Sequence, residues 1–148
     1  MSLQKQVMDQ IKTAMKAKDA VALESLRAIK SALLLAQTSG SGGELSEADE
    51  TKLVQKLVKQ RKDSAAIFTE QGREDLAGPE LAQVAIIEQF LPVQLTEAEI
   101  EKVVVQTIAT IGAQGMKDMG KVMGMVSKEL AGQADGKTIS TIVKNKLT

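Results

Sequence analysis

Gly120 and Gly124 alternate with lysines in the stretch Lys117-Asp-Met-Gly-Lys-Val-Met-Gly-Met-Val-Ser-Lys128. That combination suits one chemistry: ammonium groups neutralise phosphates, and a residue without a side chain lets a polyanion approach the backbone. At about 100° per residue, Lys117, Lys121, Gly124 and Lys128 fall in one narrow helical sector with Gly120 beside it. Met119, Val122, Met123, Val126 and Leu130 fall opposite, where a core would lie. An interior glycine costs about 1 kcal/mol of helix stability against alanine, and a purely solvated surface gives nothing in return. The competing use is close packing against another helix or a partner, with lysines solvating the edges. Lys137 and Lys144 extend the positive character. Residues 116–148 hold six lysines against Asp118, Glu129 and Asp135, a surplus of three, whereas residues 1–92 hold 12 bases and 13 acids.

A second basic group, Lys52, Lys56, Lys59, Arg61 and Lys62, has no acid between its members. Lys52, Lys56 and Lys59 share a helical face and read as solvated surface. Arg61 projects instead among Val54, Leu57, Val58, Ala65 and Phe68, where an unpaired guanidinium would be expensive. The expectation is an ion pair with Asp75, Glu80 or Glu88, or a ligand in the groove between the third and fourth helices. Lys59, Arg61, Lys62 and Arg73 form the second candidate site.

Other chemistry is hard to place. Histidine and cysteine are absent, which removes imidazole relays, thiolate nucleophiles, disulfides and zinc sites of Cys or His. Glu97, Glu99 and Glu101 sit at a helix start, and Asp118 and Asp135 read as caps. No phosphate loop or acidic calcium loop occurs, and a serine triad needs histidine. No catalytic residue, metal or cofactor is expected. Phe68 and Phe90 are the sole aromatics, too few for a base-stacking platform, and a formal charge of zero argues against a wholly basic DNA-binding domain. The seven methionines recur at helical spacing and read as core filler.

These residues need helices to position them. Apolar positions recur at helical spacing along the 148 residues without sustained alternation, so the chain reads as all-α. Leu3, Val7, Ile11 and Met15 mark a first helix, and Asp19 caps a second carrying Leu23, Leu26, Ile29 and Leu33, antiparallel to it. A mobile Ser/Gly loop is expected over 39–45, then a third helix from Ser46 to near Gly72. A turn over 73–77 precedes a fourth helix from Pro79 to Phe90. Leu91-Pro92 ends it and marks a domain boundary. Thr96 and Glu99 form a capping box opening a fifth helix that Gly112 stops, and helices near 118–131 and 137–147 complete the tail. The expected architecture is an N-terminal domain over 1–92 of about four helices and a C-terminal three-helix domain over 93–148. The N-terminus lacks a secretory apolar stretch and the run Ala32 to Ala36 is far short of a membrane span, so the expected location is cytoplasmic, with no membrane partner.

The string Lys59-Gln-Arg-Lys-Asp-Ser-Ala65, with Phe68, Gly72-Arg73, Asp75-Leu76-Ala77, Glu80, Phe90-Leu91-Pro92 and Gln94-Leu95, resembles the GatB/YqeY family. So does Asp118-Met-Gly-Lys-Val-Met-Gly124, followed by Gly132, Ala134-Asp135-Gly136, Val143-Lys144 and Leu147. Gly78-Pro79 departs from the family pattern, which runs a continuous helix there. The resemblance covers essentially the whole chain and implies an all-helical protein in two parts, its tail similar to the C-terminal domain of the GatB subunit of the tRNA-dependent amidotransferase. In that enzyme the helical tail contacts tRNA, while ammonia transfer and ATP chemistry lie in a domain this chain lacks. By motif, a tRNA-facing role carries over to Gly120, Lys121, Gly124, Gly132 and Asp135. The resemblance therefore implies a tRNA-binding accessory protein. Its alternatives are a module docking an amidotransferase, the aminoacyl-tRNA machinery or another partner, or an inherited carbon-nitrogen ligase activity with glutamine as amido donor.

Overall fold

The computed structural model describes residues 2–39 and 45–148, so most of the loop expected over 39–45 lies outside the described residues. Among them the chain forms seven α-helices and no strand: α1 (Leu3–Ala17), α2 (Ala20–Thr38), α3 (Glu47–Glu70), α4 (Glu74–Glu88), α5 (Glu97–Ile111), α6 (Met119–Glu129) and α7 (Gly136–Leu147). A single 3-10 turn, Met116–Asp118, precedes α6. No helix among the described residues is long and apolar enough to cross a membrane.

Local side chains set most of the helix starts. Ser2, Asp19, Ser46 and Asp135 each accept a hydrogen bond from the backbone N–H three residues on, at 2.8–3.2 Å. At α5 the capping box is reciprocal: Thr96 Oγ1 accepts from the Glu99 N–H at 3.2 Å and Glu99 Oε1 accepts from the Thr96 N–H at 3.4 Å. Gly112 ends α5 with φ +68°, a left-handed cap natural to glycine. Lys18 ends α1 with φ +56°, the one non-glycine in that region among the described residues.

The helices group into two compact units, Met1–Leu91 and Pro92–Thr148. In the first, the two-residue link after Ala17 folds α2 back along α1, and α3 pairs with α4. Leu3, Val7, Leu26, Ile29, Leu33, Val54, Val58, Val84 and Ile87 form one buried cluster. In the second, α5, α6 and α7 pack pairwise around Ile100, Val104, Val122, Val126, Leu130, Ile139 and Val143.

Two expectations need correction here. The fourth helix begins at Glu74, not Pro79, and passes through the proline, so residues 74–77 are helical. A residue before proline is normally pushed out of helical angles by its own Cβ; Gly78 has none, and Ala77, Val84 and Ile87 anchor the helix in the core on both sides. The methionines are not uniformly core: Met8, Met15, Met116 and Met125 are exposed, and Ala14 takes the buried place on α1 that Met15 was expected to hold. The flexible thioether tolerates such edges of a core.

Candidate nucleic-acid interface

The tail site is built on α6, whose orientation follows from burial. Val122 and Val126 are fully buried and Leu130 nearly so, with Met119 and Met123 packed against them. That clamps one side of the helix into the three-helix core and turns Gly120, Lys121, Gly124, Met125 and Lys128 outward, all of them exposed. A Cβ placed at Gly120 or Gly124 would meet nothing within 4 Å, so among the described residues no other element packs on either glycine. Lys121 and Lys128 have no carboxylate partner among the described residues.

Lys117 departs from the helical-wheel expectation. It lies in the 3-10 turn before α6, so it does not share the register of Lys121 and Lys128. Asp118 Oδ2 accepts from the Gln114 N–H at 2.9 Å and closes that turn; the side chain makes no cap on α6, contrary to its expected role. Lys117 is nonetheless exposed beside the start of α6.

On α7, Ile139 and Val143 face the core and Lys137 and Lys144 face away from it. The five lysines therefore occupy the outward sides of two helices and one turn. Lys128 and Lys144 also lie in last turns, where a cation complements the helix dipole by roughly 0.3–1 kcal/mol. Lys146 differs from them, held 2.6 Å from Glu101 across α7 and α5.

Two residues of the tail motif have structural work instead. Gly132 is buried with φ +80°, and its carbonyl accepts from Gln94 Nε2 at 2.6 Å. Leu95 N–H donates to the Gln133 carbonyl at 2.9 Å. The segment after Pro92 is thereby clasped to the α6–α7 turn, a role that spacing gave no sign of, because its partners lie 38 residues apart. Asp135 caps α7, accepting from the N–H and the hydroxyl of Thr138 at 2.8 and 2.9 Å.

The second group, Lys59, Arg61, Lys62 and Arg73, is divided by the fold. Arg61 is half-buried as expected but has no ion pair among the described residues: its Nε donates to Gln83 Oε1 at 2.8 Å and its Nη1 to the Leu57 carbonyl at 3.2 Å. The expected carboxylates are otherwise engaged or out of reach. Glu88 holds Lys62 at 3.1 Å, Asp75 holds Arg73 in a two-pronged contact at 2.9 and 3.0 Å, and Glu80 makes no ion pair among the described residues. The Arg73 guanidinium keeps the exposed Asp75 carboxyl below the usual carboxylate range, while that carboxylate raises the arginine further. Lys59 alone of the four is exposed and unpaired among the described residues. No three carboxylates among the described residues come together to hold a metal ion.

Residues 4–147 match the family described as Yqey-like protein. The chain belongs to that family. Relatives of this YqeY-like chain include the E subunit of glutamyl-tRNA(Gln) amidotransferase from Thermococcus gammatolerans, 36% identical over 95 residues, which is 62% of this chain and 15% of that protein. The protein of the same name from Methanococcus maripaludis is 42% identical over 57 residues, 38% of this chain and 9% of that one. Altered inheritance of mitochondria protein 41, mitochondrial, of Meyerozyma guilliermondii is 35% identical over 122 residues, 80% of this chain and 63% of that protein. The YqeY-like chain thus spans a small part of the two amidotransferase proteins and under two thirds of the third relative.

Proposed function

We propose that this YqeY-like chain is a helical accessory protein that binds tRNA through the glycine-lysine face of its tail. Lys121 and Lys128 on α6, with Lys117, Lys137 and Lys144 around them, would neutralise backbone phosphates, releasing condensed counterions. Gly120 and Gly124 would let the ribose-phosphate chain approach the helix backbone. The observation that carries the reading is the open space at both glycines, beside lysines with no carboxylate partner among the described residues. Relatives named as part of a glutamyl-tRNA(Gln) amidotransferase favour tRNA over other polyanions. The role assigned is to hold or present RNA, without bond-making by this chain.

A filter-binding titration with bulk tRNA at about 50 and 200 mM salt tests it. Affinity should fall steeply with salt and drop about tenfold or more in the Lys121→Glu, Lys128→Glu double variant. Unchanged retention by that variant rejects the face.

Exposed Met116 and Met125, flanking the glycines, favour a second reading in which this face docks a protein such as an amidotransferase. That association would tolerate salt, come without tRNA retention, and be abolished by Met125→Glu.

A further inference from the structure

We propose that Lys52, Lys56 and Lys59 on α3 form a further contact for the phosphate backbone of tRNA, carried by the N-terminal unit. The inference rests on the tRNA reading above and extends it to the N-terminal unit.

From residue 51 to 62 the sequence holds five cations and no acid. The fold disposes of two: Lys62 is neutralised by Glu88, and Arg61 is tied down by Gln83 and the Leu57 carbonyl. Lys52, Lys56 and Lys59 are exposed and without an ion pair among the described residues. Acids stand at neutralising distance in sequence, Asp49 three residues before Lys52 and Asp63 four after Lys59. Side chains at those spacings are neighbours on a helix, yet neither acid comes within 4.0 Å of a lysine in the row.

The geometry is that of a straight rail. At about 100° and 1.5 Å per residue, the three ammonium groups share an arc of about 60° and span about 10 Å along α3. Val54, Val58 and Ala65, buried on the opposite side, point the rail away from the core. Like charges at this spacing repel and weaken the helix that carries them, so the row has a structural cost and no structural return. A row of phosphates removes the repulsion.

Lysines read charge and not base identity, and the two phenylalanines are half-buried, so this contact is independent of nucleotide sequence. A lipid surface fits less well. Interfacial helices flank their lysines with large apolar side chains, whereas Gln55, Gln60 and Asp63 flank these.

The full chain carrying Lys52→Gln, Lys56→Gln and Lys59→Gln is titrated with bulk tRNA across salt, beside wild type and the Lys121→Glu, Lys128→Glu variant. The triple variant should keep its helical circular dichroism, bind several-fold more weakly at about 50 mM salt, and show a log-log salt slope shallower by about 2 to 3. Each single substitution should lower the slope by about 1 or less, which covers a triple variant that loses its helical signal. Wild-type affinity and slope in the triple variant, with the tail variant impaired, overturns this inference and leaves the tail reading standing. No retention by wild type rejects both. Capture of wild type by phosphatidylserine vesicles, lost in the triple variant while tRNA binding persists, overturns it in favour of a membrane.

Discussion

Lys18 occupies a left-handed conformation at the end of α1 that disfavours side-chain-bearing residues by roughly 1–2 kcal/mol. Lys18→Gly should raise stability by about 1 kcal/mol in urea unfolding, since glycine meets no such clash. Arg73 and Asp75 make a different residue-scale prediction. The carboxyl is held below its ordinary range by the guanidinium, so its contribution to stability is present above that range and is lost as pH falls through the lowered value. Arg73→Gln should return the Asp75 carboxyl titration, followed by NMR, upward towards the ordinary aspartate range. Arg61 shows why residue type alone misleads at this scale. Its half-burial was legible from apolar neighbours on α3, but its partner was decided by which acids Lys62 and Arg73 had already engaged.

At the scale of elements, α4 and α6 each carry a local choice that weakens the helix. Pro79 lies inside α4, where it removes one backbone donor and crowds the carbonyl of Asp75. Pro79→Ala should stabilise the chain by roughly 1–3 kcal/mol. Gly78→Ala in the proline background should give little of the usual gain, because its new Cβ would crowd the proline ring. In α6, Gly124→Ala has open space to enter and should raise thermal stability by about 1 kcal/mol. On the tRNA reading the same substitution weakens RNA retention, and equal retention would show that backbone approach plays no part. Helix starts with a side-chain cap were readable at Asp19, Ser46, Thr96 and Asp135 because donor and acceptor lie three residues apart. The start of α4 was not, since Arg73 makes no side-chain cap and the helix is held by tertiary burial of Ala77.

At the scale of the molecule, the two core clusters share no residue, so each unit has its own hydrophobic interior. The fragment 92–148 should fold alone with a helical circular dichroism spectrum and a cooperative, low-midpoint melt, because so few residues bury a small core. Removing the clasp with Gln94→Ala should lower that midpoint, because a buried carbonyl is left without its donor. The all-α class, the six helices other than α4 and the outward turn of the α6 lysines were determined by sequence alone, because helical periodicity and caps act within a few residues. Which cations stay unpaired, where Gly132 and Gln94 meet, and that α4 runs through a proline were decided by tertiary structure. Those outcomes depend on neighbours brought together from distant positions in the chain and on competition among them for a few carboxylates and carbonyls, which no local spacing records.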